Sequence, residues 1–162
     1  MRILSIDPGL KCGWAVFDDE VYIAGGTHCI KTPTKAQVLK KGVHPSQKWL
    51  DVRNMIHMFI NDWNPNIVAF EEVKRHVGTY AAHCYGYIRY TIEAECANQN
   101  IETISYIPSQ WRKLIGKGSD GKLIVQERVG EYFNIENFDS DDHSDAVGIG
   151  WAAFIEKKSL QD

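Results

Sequence analysis

Apolar and polar positions divide this chain into segments of two periods. Arg2-Ile3-Leu4-Ser5-Ile6-Asp7 is a short apolar run closed by a carboxylate and then by Pro8-Gly9, which predicts a core strand ending at a turn. Residues 13–18 and 21–29 predict two further strands, and the polar Asp18-Asp19-Glu20 between them predicts a hairpin. Residues 31–45 are polar and lysine-rich and read as a loop. From 46 to 63 the period changes: Trp49, Val52, Ile56, Phe59, Ile60 and Trp63 share one helical face, and Asn64-Pro65-Asn66 stops it. Residues 67–73 form a near-continuous apolar run suited to a central parallel strand. A long helix follows over 80–98, then a fifth strand over 101–106. Pro108 opens a short helix as a first-turn proline. Residues 116–121 are glycine-rich and predict a flexible loop, and helices over 122–133 and 141–157 close the chain.

Three antiparallel strands followed by helix, strand, helix, strand and helices is the order of a ribonuclease H-like α/β sandwich, with a five-stranded mixed sheet flanked by helices. The 162 residues fit a single domain, 1–162, with a substantial core. Four scattered cysteines without CxxC spacing argue against zinc and fit free thiols in a cytoplasmic, reducing compartment. No apolar run approaches the roughly 20 residues that span a bilayer. Met1 leads directly into the first strand, which is the pattern expected without a signal peptide.

Charge sharpens the picture through its placement. The net charge of −3 argues mildly against a nucleic-acid partner, but Arg112, Lys113, Lys117 and Lys122 gather around one acid, Asp120. Glu136, Asp139, Asp141, Asp142 and Asp145 follow in a single acidic tract. A basic surface beside an acidic pit suits a metal nuclease, which holds phosphates with one and cations with the other. Two solvated faces with no joint purpose are the plain alternative.

The candidate chemistry lies in acids delivered by separate elements. Asp7 ends the first strand, Glu71 ends the apolar run Ile67-Val68-Ala69-Phe70, and Asp142 and Asp145 stand one turn apart on the last helix. At about 4 Å and an effective dielectric near 20, each like pair costs about 4 kcal/mol, so converging acids need a cation. Such a cluster suggests divalent metal and phosphate chemistry. Glu72 competes with Glu71, since neighbouring strand residues face opposite ways and only one can join Asp7. Asp141 shares a helical face with Asp145, which leaves Asp142 open, and His143 is either a ligand or an exposed first-turn residue. Capping and dipole complementation by Asp139 to Asp142 is the plain reading of that tract. Residues 116–122 suit a phosphate-gripping loop but lack the spacing of a P-loop.

These motifs, in this order, resemble the RuvC-type Holliday-junction resolvases, and the likeness spans nearly the whole chain. It is carried by Ser5-Ile6-Asp7-Pro8-Gly9-Leu10 with Gly13-Trp14-Ala15, and by Ala69-Phe70-Glu71-Glu72-Val73. Tyr85-Gly86-Tyr87-Ile88-Arg89, the loop Gly116 to Gly121 with Lys122, and Asp142-x-x-Asp145-Ala146 add to it. The resemblance implies a homodimeric endonuclease that nicks branched DNA symmetrically and leaves 5′-phosphate ends, from a bacterium or a bacteriophage. It selects Glu71 over Glu72. It implies that Asp7, Glu71, Asp142 and Asp145 hold two Mg2+ ions, with Mn2+ as an expected substitute: one activates water and one stabilises the leaving 3′ oxygen. Lys122 is implied to act at the scissile phosphate. The dimer is expected through the helix over 80–98. Lys74, Arg75, Arg112, Lys113, Lys117 and Lys122 are the expected DNA contacts.

The chain departs from the family pattern in three places. Lys74-Arg75-His76 stands where an aromatic wedge is common, Trp111 stands where a lysine is expected, and residues 31–45 are unusually basic. The expectation is broader selectivity, including three-way junctions and forks. Other classes remain in view: an RNA-processing nuclease of the same fold, a non-catalytic junction scaffold, and an ATP-binding domain of the actin or sugar-kinase kind, which normally needs two such lobes.

Overall fold

The computed structural model describes residues 1–75 and 78–160. Among them are five strands, β1 Arg2–Asp7, β2 Lys11–Asp18, β3 Val21–Cys29, β4 Ile67–Glu71 and β5 Glu102–Tyr106. The helices are α1 Lys35–Lys41, α2 Gln47–Trp63, α3 Thr79–Asn98, α4 Pro108–Ile115, α5 Lys122–Phe133 and α6 Asp141–Ser159. The strands form one sheet in the order β3-β2-β1-β4-β5. β1, β2 and β3 are antiparallel, whereas β4 runs parallel to β1 and β5 parallel to β4. The ribonuclease H-like, mixed five-stranded architecture expected from the sequence is the one observed.

Alternation along the strands decides what each sheet face buries. Leu4, Ile6, Val16, Val68 and Phe70 point to one side and pack with Val52, Ile56, Phe59 and Ile60 of α2 and Ile88 and Ile92 of α3. Ile3, Ala15, Phe17, Ile67 and Ala69 point to the other, against Trp111 of α4, Val125 of α5 and a run of α6 from Ala146 to Phe154. α6 lies hard on the sheet. The Ser5 hydroxyl, buried in β1, donates to the Ala146 carbonyl at 2.7 Å, and a β-carbon on Gly150 would meet the Phe17 ring at 2.2 Å.

Two sequence expectations need correcting. Residues 31–45 are not all loop: Thr34 and Gln37 form a reciprocal capping box, the Gln37 N–H donating to Thr34 Oγ1 at 3.2 Å and the Thr34 N–H to Gln37 Oε1 at 2.8 Å. That box starts α1, and Gly42 ends it with φ +65°. The glycine loop of 116–121 is not free either. Asp120 is buried, and it accepts from the Lys117 N–H at 2.8 Å and from Arg128 at 2.5 Å. The acid counted as surface charge is the loop's clasp, and Arg128 holds its carboxyl below the ordinary carboxylate range. His76 lies outside the described residues.

Candidate metal centre

Strand register brings the first two acids together. Ile3 pairs with Ile67, Ser5 with Ala69 and Ile6 with Phe70, so Asp7 and Glu71 stand one step further along adjacent parallel strands. Both continue the alternating row that faces α6. Glu72 points the other way, with its Oε1 3.5 Å from Arg89 of α3. α6 supplies the rest: Ser140 caps it, accepting from the His143 N–H at 3.3 Å, and Asp142 and Asp145 follow one turn apart. Within the tract 139–142 expected to cap the helix and complement its dipole, Ser140 is the cap and Asp141 and Asp142 lie in the first turn. Asp139 instead accepts from the Thr27 N–H at 3.1 Å and ties the helix start to β3.

The electrostatics record the convergence. Burial pushes the Asp7 carboxyl well above the ordinary range, and Glu71, Asp145 and Asp142 push it further, while Lys122 opposes them. Burial also raises Glu71, against the Trp111 hydrogen bond, Arg112 and Lys122. Asp145 is pushed up to about 6 by burial, again opposed by Arg112 and Lys122. Its Oδ1 is buried without a hydrogen-bond partner.

Basic side chains stand among the acids. Lys11 Nζ lies 3.1 Å from Asp142, an Arg112 nitrogen 4.0 Å from Asp145, and Lys122 Nζ 3.6 Å from Asp141. Asp141 is exposed. Among the described residues, no three His, Cys, Asp or Glu side chains are drawn tightly enough together to hold an ion unaided. The donor chemistry nevertheless fits a hard divalent cation. The converging groups are carboxylates, they repel one another as they stand, and a buried oxygen of Asp145 lacks a partner.

Three residues here have roles that the sequence did not announce. Trp111 is fully buried under α6, and its indole N–H donates to Glu71 Oε2 at 2.9 Å. Lys11, the first residue of β2, faces Asp142. His143 is buried rather than an exposed first-turn residue. The Asp139 N–H donates to its Nδ1 at 3.3 Å, so the neutral ring carries its proton on Nε2 and donates to the Tyr22 hydroxyl at 3.1 Å. It braces α6 against β3 and turns away from the acids. Burial of a tryptophan under a helix and bracing of a histidine against a strand are tertiary contacts that carry no local sequence signal.

The expected DNA contacts divide. Lys74, Arg75, Lys113, Lys117 and Lys122 are exposed. Arg112 folds inward, with Nη1 3.3 Å from the Asp120 carbonyl and the guanidinium against the Trp111 ring.

The family model for crossover junction endodeoxyribonuclease RuvC matches residues 3–152. The chain belongs to the RuvC family. The RuvC crossover junction endodeoxyribonuclease of Rickettsia prowazekii is 27% identical over 165 residues, covering 98% of this chain and 99% of the relative. The Thermus thermophilus RuvC structure superposes with a TM-score of 0.78 at 18% identity, over 98% of this chain and 97% of that one. T. thermophilus RuvC in complex with a Holliday junction substrate gives 0.78 at 16% identity, over 98% and 96%. At these identities the structural likeness establishes the shared RuvC fold. Among the described residues, no helix is long and apolar enough to cross a membrane.

Proposed function

We propose that this RuvC-family chain is a divalent-metal-dependent, structure-selective endonuclease that nicks branched DNA as a homodimer and leaves 5′-phosphate ends. Its substrates are four-way junctions and, with the basic Lys74-Arg75 following β4, three-way junctions and forks. The observation that carries the reading is the meeting of Asp7, Glu71 and Asp145 at one end of the sheet, with Asp142 beside them and Lys122 and Arg112 moderating their repulsion.

Asp7, Glu71, Asp142 and Asp145 would hold two Mg2+ ions, and Mn2+ can replace them because the donors are all oxygen. When bound, the ions supply activation of the attacking water and stabilisation of the leaving 3′ oxygen. The protein's own share is positioning. Trp111 fixes one oxygen of Glu71, and the seat of α6 on β1 fixes Asp145 relative to Asp7. Lys122, exposed at the first residue of α5 and paired only with the exposed Asp141, would exchange that partner for a phosphate. Lys113 and Lys117 extend the same basic side. The dimer would use α3, which exposes Tyr80, Tyr87 and Tyr90. Twofold symmetry would then present two equivalent sites to the two strands of a junction.

The test is incubation with labelled four-way, three-way and linear DNA in Mg2+ or EDTA. Paired, ligatable nicks in branched substrates that vanish in EDTA are expected, and Asp7→Asn should keep binding and lose nicking. Nicking by Asp7→Asn at the wild-type rate would overturn the site. Junction binding without any Mg2+-dependent nicking would favour the scaffold reading instead.

A further inference from the structure

The longest acid-free stretch of the chain runs from Val21 to Leu50, and it carries Lys31, Lys35, Lys40, Lys41 and Lys48 without one Asp or Glu. This asymmetry sits in a protein whose net charge is −3. Lys48 is accounted for inside the fold, since its ammonium donates to the Tyr80 hydroxyl at 2.7 Å and lies over the Trp49 ring. The other four lysines are exposed, and among the described residues none of them has an acidic partner within ion-pair distance.

Helix α1 holds Lys35, Lys40 and Lys41 in place without serving the core. None of its residues is buried. So short a helix is marginal alone, and here its own caps, Thr34 with Gln37 and Gly42, support it. Helix-dipole complementation explains Lys40 and Lys41, which lie in the last turn, but not Lys35. Lys35 is the first residue of α1, at the positive end, where the first turn contains no acid. That placement is unfavourable within the chain.

Both roots of the segment lie at the sheet end that carries the acids. The Ile30 N–H donates to the Leu10 carbonyl at 2.6 Å, three residues past Asp7. At the other root, Lys48 is bound to Tyr80 at the start of α3, the helix entered from β4 after Glu71. The segment leaves from the edge strand β3, whereas Lys113 and Lys117 belong to elements on the α6 side of the sheet.

We propose that residues 31–47 form a phosphate-gripping arm, in which Lys31, Lys35, Lys40 and Lys41 hold a duplex arm of the DNA leaving the branch point on the β3 side of the site. This rests on the branched-DNA reading above and adds a second contact surface to it. Recognition is of backbone charge, so the arm adds affinity without sequence preference.

The experiment compares the wild type with a Lys31→Gln, Lys35→Gln, Lys40→Gln, Lys41→Gln variant, measuring Kd for a four-way junction across salt concentrations. Each lost phosphate contact flattens the logarithmic salt dependence by about 0.9. With all four engaged, the wild type should lose on the order of 100-fold more affinity than the variant between roughly 50 and 200 mM salt. The matching four-Arg variant should restore the wild-type slope, and the melting temperature of the Gln variant should be unchanged. Lys158→Gln, at the far end of α6, should leave the slope alone. Equal slopes for the Gln variant and the wild type, or an equal per-lysine effect from Lys158→Gln, would overturn the arm. If the wild type itself binds no junction, the branched-DNA reading is what fails.

Discussion

Gly13 of β2 lies directly beneath the backbone of Asp142: a β-carbon on Gly13 would stand 1.8 Å from the Asp142 carbonyl oxygen. The start of α6 therefore reaches the sheet only because this position has no side chain. Since Gly13 pairs with Asp7 across β1 and β2, the contact sets the distance between the acid of the strand and those of the helix. Gly13→Ala should lift the helix start and cost at least about 1–3 kcal/mol, as overpacking of a close contact does. Thermal melting reads the cost, and a nicking assay should show a loss larger than melting alone explains. A variant with wild-type melting and nicking would remove this contact from the account.

Trp111 should matter through its N–H. Trp111→Phe keeps an aromatic ring under α6 but leaves Glu71 Oε2 without its donor. Outer partners of metal-binding groups typically contribute 10- to 100-fold in affinity or activity. The Mg2+ concentration for half-maximal nicking should rise by about 10-fold or more. An unchanged Mg2+ requirement in the folded variant would make Trp111 a packing residue alone.

Asp7→Asn should trade activity for stability. Asp7 is pushed up by burial and by Glu71, Asp145 and Asp142, so its charged form opposes folding when no divalent ion is present. In EDTA at neutral pH the variant should melt a few degrees higher, where about 1 kcal/mol corresponds to roughly 2–4 °C for a domain of this size. Nicking in Mg2+ should fall by about 1000-fold. A lower melting temperature in EDTA would contradict the repulsion.

The same repulsion predicts a pH dependence of stability. A carboxyl whose pKa is higher folded than unfolded contributes stability that is complete below its unfolded value and is lost as pH rises through the folded one. For Asp145 that window runs from 3.8 to about 6. In EDTA the melting temperature should carry a component that declines across this window, absent in Asp145→Asn, and Mg2+ should recover stability above it. His143 works in the opposite sense. Burial lowers its pKa below 6.5, so its contribution is present above that value and is lost as pH falls. Wild-type and Asp145→Asn melting curves that run parallel across the window would remove the Asp145 contribution.

Much of the fold was legible because it is local. The alternation of Ile3, Ser5 and Asp7, and of Ile67, Ala69 and Glu71, marks strands whose last residues are acids, and the helical spacing from Trp49 to Trp63 marks α2. α1 was missed although Thr34 and Gln37 already had capping-box spacing, because the segment lacks the apolar stripe that usually marks a helix. Asp120 read as surface charge and is a buried clasp. For His143 the sequence leaves a ligand or an exposed first-turn residue, and the structure shows a buried brace. Asp120 is clasped by Arg128 from the following helix, beyond the end of the glycine loop, and His143 by Tyr22 of β3, far away in the sequence, and neither pairing leaves a periodic signal.

The sequence by itself determined which residues are acids at strand ends, which faces of the strands are apolar and the order of elements, since each follows from side-chain chemistry and backbone period. Only the tertiary structure decided that Asp7 and Glu71 lie side by side facing α6, that Trp111 holds Glu71, and that Lys11 and Arg112 stand among the acids. Those facts depend on the parallel register of β1 with β4 and on the seat of α6 at Gly13. Both are contacts between residues far apart along the chain, which no local period encodes.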